Sequence, residues 1–367
     1  MFILNGNIFP LPSLSPAMDE SIMKLHETFL GSNAYDWSNM EKSAIDFFNT
    51  PQINCNDHDN YFSSFTLLWK RWLLQGQFDQ AEKIWQMALR PAQKWEANNP
   101  NRFIHKGTAY YFWGMTAILR GDIDKGYALM HQAVEEDKRT SGQPFPKSPA
   151  TDLVTLNTTE ENQAFRDWVL EQGKFLNKFL ESYRGTYQKQ LKLEELQIRY
   201  LANPPSIDAG FLFAYVLGRL VKLSSVPKFA LRNDFVSQLQ LNLLFDLTLV
   251  IDAAIKAHNK TEETFVKHAA FLSNQANLGI NKQQLGAEIN VSLKKSYDIV
   301  LNGIVNDDYI LNNGVQVVGL RKDLAVTYGI RNRGAHNISY CYTVRHRFDE
   351  LLQSLFNTFF LVVDTLY

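Results

Sequence analysis

The chain has very little cysteine and almost no imbalance of charge. Its 367 residues include two cysteines, Cys55 and Cys341, and their spacing is not that of a disulfide framework. Such sparse cysteine argues against a secreted disulfide scaffold and is typical of a protein of the reducing cytosol. With 37 lysines and arginines against 38 aspartates and glutamates, the net charge is −1, so no global field attracts nucleic acid. Any basic surface must therefore be local.

Signals for export and for membrane insertion are also lacking. The apolar residues 1–18 have no basic leader, and they are interrupted by Pro10, Pro12 and Pro16. The apolar stretch 355–366 is short and contains Asn357 and Asp364, so it predicts a buried helix rather than a membrane span. We expect a soluble, cytoplasmic protein without a membrane partner.

The motifs of several enzyme classes are absent. There is no glycine-rich phosphate loop, no Gly-x-Ser-x-Gly elbow and no His-Glu-x-x-His pair. One polar loop contains four residues whose types can bind a metal: Cys55, Asp57, His58 and Asp59. These four residues lie very close together in the sequence, and no second pair of metal-binding residues appears elsewhere in the chain. Clusters of Asn and Asp are also common in ordinary loops. We therefore predict a plain loop there, and neither a metal site nor a cofactor.

The apolar residues that are present recur with the period of a helix. In residues 233–257 one apolar face runs through Phe235, Leu239, Leu243, Leu247, Ile251 and Ile255. Further helices are predicted at 261–275, 282–304, about 315–333 and 343–366. Almost nothing alternates with the period of a strand, so the sequence predicts an all-α fold.

Residues 62–94 resemble a tetratricopeptide repeat, a helix-turn-helix unit. Large, turn and small residues fall in the order that this unit needs: Phe65, Leu68, Trp72, Gly76, Phe78, Ala81, Trp85 and Ala88. A second copy is indicated around Gly114, Gly121, Gly126 and Ala133, although it follows at a longer interval than a regular array has. The resemblance implies a concave surface for a protein partner. Equally, these helices could only pack against and position the C-terminal part.

Two breaks divide the sequence. Residues 139–159 are rich in proline, glycine and serine and form the clearest linker. A second break at 203–206 contains Pro204 and Pro205, and Ser206 or Asp208 is placed to cap the next helix. We predict a tetratricopeptide-like domain at 1–205 and a helical bundle at 206–367.

The segment 330–337 brings an arginine, an asparagine and a histidine together. Leu320, Leu324 and Tyr328 form an apolar stripe that leads to Arg331, and Gly334 offers a place for the helix to stop. Arg331 and His336 are five residues apart, so a straight helix would put them on different faces. They can share one site only if the helix breaks near Gly334 or if a second subunit contributes.

Arg331-Asn332 followed by His336 resembles the R-x-x-x-x-H signature of the HEPN superfamily, which is a family of small helical bundles. The resemblance covers about the last third of the chain. It implies a homodimer with the arginines and histidines of both copies in one cleft, and metal-independent cleavage of RNA. It also implies a role in antiviral defence or in a toxin-type stress response.

The residue types suit that chemistry. The imidazole of His336 titrates near neutral pH and can transfer protons, and the planar guanidinium of Arg331 can bind a phosphate in bidentate fashion. Asn332 can orient either group or the phosphate. In the toxin members that are silenced by a partner, a tyrosine lies two residues after the histidine, where this chain has Ile338.

Basic and aromatic residues around the motif are candidates for binding RNA: Arg321, Lys322, Arg333, Arg345, Arg347 and Tyr340. His346 lies among them, and Tyr342 is a further candidate for stacking on a base. Basic side chains near helix ends also stabilise the helix dipole, and tyrosines fill cores, which is the alternative for the same residues.

Two functions follow from these patterns. The first is a metal-independent endoribonuclease that leaves 2′,3′-cyclic phosphate ends. The alternative is a non-catalytic scaffold that binds a protein partner through its repeats and dimerises through the bundle. Burial of Arg331 and His336 away from any cleft would weaken the first.

Overall fold

The protein is all-α, as the sequence predicts, apart from one short hairpin at its N-terminus. The computed structural model describes residues 2–4, 7–9, 37–49, 58–157, 162–227, 234–259, 264–336 and 342–367. Side chains are described in these ranges except at 2–4, 7–9, 58–60, 234 and 333–336. The chain forms two compact units, Met1–Ala150 and Thr151–Tyr367.

In the ranges that the structure describes, the first unit contains the hairpin and five helices. Strands β1 (Phe2–Leu4) and β2 (Asn7–Phe9) pair antiparallel, with Phe2 opposite Phe9. The helices are α1 (Trp37–Phe48), α2 (His58–Leu74), α3 (Phe78–Asn98), α4 (Gly107–Arg120) and α5 (Ile123–Ser141). Helix α6 (Pro149–Thr155) crosses the division between the units.

Helices α2 to α5 form two successive helix-turn-helix pairs, as the repeat pattern predicts. Gly76 and Gly121 make the turns with positive φ angles of 68° and 100°, which residues with a Cβ atom rarely adopt. In the second pair, a Cβ atom on Gly114 would lie 3.0 Å from the carbonyl oxygen of Gly126. The absence of side chains at both glycines thus lets α4 and α5 approach closely.

Aromatic side chains fill the core of the first unit. The rings of Trp69 and Phe112 lie 4.4 Å apart between their centroids, and Trp85 stacks on Phe112 at 5.7 Å. The indole N–H of Trp69 donates to the hydroxyl of Thr116 over 2.7 Å, which satisfies a buried donor. This contact ties the first helix pair to the second, since the partners come from α2 and α4.

The second unit contains the helices from α7 onward. They are α7 (Gln163–Tyr187), α8 (Leu193–Leu196), α9 (Ile207–Ser224), α10 (Asp234–Asn259), α11 (Phe265–Gln275), α12 (Asn290–Val305), α13 (Leu320–His336) and α14 (Tyr342–Leu366). Single π-helical turns extend α8 (Gln197–Leu201) and precede α12 (Gln284–Ile289). The hydroxyl of Ser206 accepts from the backbone N–H of Ala209, so Ser206 is the cap of α9.

Helix α14 lies at the centre of this unit and is apolar on all sides over most of its length. All residues from Leu351 to Val363 are buried except Gln353, which is half-buried. Phe356 packs on Phe179 of α7 at 4.6 Å, and Phe359 stacks on Phe213 of α9 at 4.8 Å. A helix that is hydrophobic all round belongs in a core, and α10 and α13 pack on its other sides.

The division between the units lies earlier than the boundary predicted at 205. Tyr200 at the end of α8 packs on Phe359, and α7 packs on α14, so both helices belong to the second unit. The prolines at 204 and 205 mark a turn inside that unit, where Pro204 contacts Gly210. The observed division falls within the proline- and glycine-rich segment 139–159.

One helix among the described residues is long and apolar enough to cross a membrane by length and composition, Phe235–Asn259 in α10. More than half of its most apolar window, 56%, is buried against other parts of the protein. Core helices pass the same test, so this composition is weak support for a span.

Candidate functional site

The motif arginine lies near the C-terminal end of α13, which is fixed by a long buried segment. Every residue from Asp323 to Ile330 is buried, and Tyr328 stacks on Phe265 of α11 with ring centroids 6.2 Å apart. Arg331 is the first residue after this segment that keeps some exposure, at 24% of its side chain. The buried apolar stripe therefore positions the guanidinium of Arg331 at the edge of the bundle.

Helix α13 does not stop at Gly334, because its backbone continues as far as His336. Positions 331 and 336 are therefore about 140° apart around one helix, at about 100° per residue. Of the two possibilities for a shared site, the helix break at Gly334 is not observed, and the contribution of a second copy stays a prediction.

The guanidinium of Arg331 contacts an acid from another helix. Its Nη2 atom lies 3.6 Å from Oδ2 of Asp252 on α10, and the group lies over the ring of Phe245 at 5.2 Å. Among the described residues its buried Nε–H has no acceptor. Arg331 is thus held on one side and keeps donor capacity that its contacts do not use.

Asp252 also binds a buried histidine. Its Oδ1 atom lies 2.6 Å from Nδ1 of His268 on α11, whose side chain is only 1% exposed. One carboxylate thus links α11 through α10 to the motif arginine. One sign of this is visible in the sequence, where Asp252 interrupts the apolar run of α10, but no local pattern indicates its partner.

Asn332 is directed into the bundle. Its amide nitrogen lies 3.4 Å from Oδ1 of Asn290 at the start of α12. Burial raises the pKa of Tyr328 one turn earlier, and the Asn332 side chain partly offsets this shift. These contacts fit an orienting side chain at the seam between α12 and α13.

Most of the basic residues predicted to bind RNA have partners within the chain. Arg321 donates to the backbone carbonyl of Leu278, and Lys322 pairs with Asp307 at 3.0 Å. Both lie about 15 Å along α13 from Arg331, at about 1.5 Å per residue. The structure therefore does not bring them to the same point as the motif.

Arg347 ties α14 to α12. Its guanidinium pairs with Glu350 and donates to Oδ1 of Asn306 over 2.5 Å. The backbone of Arg347 leaves helical geometry, with φ −126° and ψ 24°. This arginine has a structural role, whereas Arg345 is half-buried on the same turn.

Several predicted residues fall outside the described part. The side chains of His336 and Arg333, and Tyr340 as a whole, are not among the described residues. The same holds for the loop with Cys55 and Asp57. Within the described ranges, no group of three or more histidines, cysteines or acids could hold a metal ion.

A second polar cluster surrounds Asp323, also on α13. Its carboxylate accepts from the hydroxyl of Tyr187 at 2.5 Å and from the amide of Asn357 at 2.9 Å. Burial raises the pKa of Asp323 to about 6, and the hydrogen bonds from Tyr187, Ser354 and Asn357 limit the rise. The cluster joins α7, α13 and α14 through their polar side chains.

Comparisons with protein-family models, with curated proteins and with solved structures find no significant match for this chain. The fold and the site thus define an all-α protein of two units, with an arginine-asparagine pair at the edge of the second.

Proposed function

We propose that the chain is a metal-independent endoribonuclease of the HEPN type that acts as a homodimer in the cytoplasm. The observation that carries this proposal is the placement of Arg331. It lies at the edge of a helical bundle, is held by Asp252, and is followed by a helix that continues to His336. The spacing of the motif supplies the link to RNA chemistry, and the biological role is antiviral defence or a toxin-type stress response.

The reaction needs proton transfer and charge stabilisation, and no metal. The ribose 2′-oxygen attacks the adjacent phosphorus while a base takes its proton. The bond from phosphorus to the 5′-oxygen breaks, and that oxygen receives a proton. The products are a 2′,3′-cyclic phosphate and a 5′-hydroxyl. His336 takes the proton from the 2′-hydroxyl and delivers a proton to the 5′-oxygen, and Arg331 of the other copy stabilises the negative charge that develops on the phosphoryl oxygens.

The geometry of α13 supports a dimer in this proposal. Because positions 331 and 336 lie about 140° apart on an unbroken helix, a site that uses both residues takes one from each copy. Such a site is incomplete in the monomer. Dissociation of the dimer therefore abolishes activity in this proposal, even when each copy remains folded.

Asp252 orients the arginine. A guanidinium held through Nη2 presents its remaining N–H groups in a fixed direction, which lowers the cost of binding a phosphate.

One observation favours the scaffold alternative. The contacts of Arg331 with Asp252 and Phe245 are internal, and such an ion pair is also a structural link between helices. The two helix-turn-helix pairs of the first unit would then bind a protein partner. In the ribonuclease, the same pairs would receive a regulator.

The test is RNA cleavage by the purified chain in the presence of EDTA, with the product ends mapped. Arg331→Ala, Asn332→Ala and His336→Ala are compared with Arg90→Ala and His131→Ala, which change partly exposed residues of the first unit. We expect cyclic phosphate ends from the unchanged chain and the two controls, and at least a 100-fold slower reaction for Arg331→Ala and His336→Ala. Cleavage that persists in those two variants, or that requires a metal, would reject the proposal.

Mixing tests the composite site. Arg331→Ala and His336→Ala are each inactive, but a mixed dimer has one site with an intact arginine from one copy and an intact histidine from the other. Recovery of activity on mixing, to about a quarter of the unchanged level, is expected if each site takes one residue from each copy and a dimer has two such sites. Failure to recover, while mixed dimers are demonstrated by mass, would contradict the arrangement.

A further inference from the structure

The first turn of α14 is attached to α12 by polar contacts. The backbone N–H of Thr343 donates to Oδ1 of Asp298 over 3.0 Å, and its hydroxyl donates to the backbone carbonyl of Asp298 over 3.1 Å. Arg347, one turn later, reaches Asn302 and Asn306 of the same helix. The carboxylate of Asp298 thus caps the start of α14 and fixes its orientation.

Aromatic and apolar side chains of α14 and α12 are exposed close in sequence to the residues that form this attachment. Tyr342 is 55% exposed, and its ring lies 4.2 Å from the exposed ring of His346, with 36° between their planes. On α12, Ile299 follows Asp298 and is 78% exposed. We call Tyr342 and His346 the aromatic platform. Two adjacent exposed rings offer a surface for stacking at small entropic cost, because each has only two side-chain torsions.

The charge next to the platform is positive. Lys294 and Lys295 are exposed on α12, shortly before Ile299. The neighbouring acids are engaged, since Asp298 caps α14 and Glu350 pairs with Arg347. A polyanion with flat apolar groups matches this combination of lysines and exposed rings.

The platform is also near the motif along the chain. Helix α14 begins at Tyr342, six residues after His336, so the two positions are at most about 20 Å apart. Arg331 lies about 7.5 Å further along α13, so a nucleic-acid strand with one phosphate at Arg331 reaches the platform within a few nucleotides.

We infer that Tyr342, supported by His346, stacks an unpaired nucleobase of the RNA whose phosphate is bound at the motif. Paired bases are already stacked inside a duplex, so the platform selects single-stranded or looped RNA. This inference rests on the proposed function for the nature of the ligand, and it adds the residues that select it.

A second copy of the chain fits the same surface less well. A two-fold axis through the platform would set this surface, with its exposed Lys294 and Lys295, against an identical surface, and a shared sign of charge opposes such self-association. RNA instead supplies phosphates for the lysines and bases for the rings.

Binding is measured with the full chain carrying His336→Ala, so that the probe stays intact. The probes are a fluorescein-labelled single-stranded oligoadenylate of about 12 nucleotides and an RNA duplex of the same length. Tyr342→Ala is compared with Tyr342→Phe, which keeps a ring, and with Phe235→Ala, which removes a similarly exposed aromatic side chain from α10. Because Tyr342 is more than half exposed, its substitution is expected to leave the thermal melting curve unchanged.

We expect Tyr342→Ala to raise the Kd for the single strand about 5- to 30-fold. Tyr342→Phe and Phe235→Ala should stay within about twofold of the parent, and the Kd for the duplex should not change. A 2-aminopurine base in the single strand should be quenched by the parent and by Tyr342→Phe, and less by Tyr342→Ala.

Three results would overturn the inference. They are equal affinities of Tyr342→Ala and its parent, no binding of the single strand by any form, or a fall in molar mass with Tyr342→Ala that accounts for its weaker binding. The last would make the platform an interface between copies. If binding depends on the ring of Tyr342 but the unchanged chain cleaves no RNA, the ribonuclease is rejected and the platform is retained. If the chain cleaves RNA at a rate that does not depend on Tyr342, the platform is rejected and the ribonuclease is retained.

Discussion

Asp252 holds the motif arginine, with its Oδ2 atom 3.6 Å from Nη2 of Arg331. Its other oxygen lies 2.6 Å from Nδ1 of the buried His268. The three side chains come from α10, α13 and α11, so one carboxylate fixes the relative position of three helices at the edge of the bundle. In the ribonuclease this orients the arginine for a phosphate, and in a scaffold it only stabilises the fold.

Asp252→Asn separates these two roles. The amide keeps the shape of the carboxylate but loses the charge that attracts Arg331, so the guanidinium becomes mobile. We expect RNA cleavage to slow by about 10- to 100-fold, because small misplacements of a catalytic group are costly. The melting temperature should fall only slightly, since the ion pair is partly exposed.

The matched control is Asp246→Asn, which changes another half-buried acid of α10. It should leave the cleavage rate within about twofold of the unchanged chain. Equal rates for both variants would show that the Asp252 contact has no part in orienting the arginine.

His268→Ala tests the buried contact between His268 and Asp252. The substitution leaves a cavity at a site that is 1% exposed and removes a hydrogen-bond partner from Asp252. We expect a loss of about 2–4 kcal/mol in the free energy of unfolding of the second unit. Urea denaturation is the measurement, and His131→Ala, at a side chain that is 32% exposed, should change it by less than about 0.5 kcal/mol.

Asp323 makes the stability of the second unit depend on pH. Burial raises the pKa of this carboxyl to about 6 in the folded chain, above the ordinary value of 3.8. Its contribution to stability is therefore fully present below the ordinary pKa and is lost as the pH rises through about 6. The loss amounts to roughly 3 kcal/mol, at about 1.4 kcal/mol per pKa unit.

Asp323→Asn removes this titration and keeps a group that can bond to Tyr187, Ser354 and Asn357. The difference in the free energy of unfolding, variant minus unchanged chain, should rise by about 2.5 kcal/mol between about pH 4 and about pH 7.5, because part of the roughly 3 kcal/mol is already lost at about pH 4. Urea melts at several pH values give this difference, and the titration of other groups cancels in it. A difference that is independent of pH would contradict the raised pKa.

Gly126 tests the close approach of α4 and α5. A Cβ atom there would lie 2.4 Å from Cγ1 of Ile118 and 3.0 Å from its backbone nitrogen, so the helices must separate. We expect Gly126→Ala to destabilise the first unit by about 1–3 kcal/mol. Gly185→Ala is the control, because a Cβ atom at Gly185 meets nothing within 4 Å and alanine favours the helix interior by up to about 1 kcal/mol. Thermal melts should therefore move in opposite directions.

The helices could be predicted from the sequence because their apolar residues recur at helical spacing. The last helix was expected at 343–366 and is found at Tyr342–Leu366. The two glycine turns were also predicted, since positive φ angles exclude most other residues. The helix does not stop at Gly334, which the sequence offered as a place for it to loosen or stop, because a single glycine lowers helix stability by only about 1 kcal/mol and leaves every backbone hydrogen bond possible.

The sequence by itself determined the all-α fold and the position of Arg331 and Asn332 near the end of a helix, because both depend on local spacing; that the helix continues to His336 was seen only in the structure. Only the tertiary structure decided that Asp252 and His268 surround the arginine, since residues far apart in sequence meet through the packing of α10, α11 and α13. It likewise decided the division of the chain after Ala150. The apolar faces of α7 and α8 are buried against α14, and no local pattern shows which partner buries them.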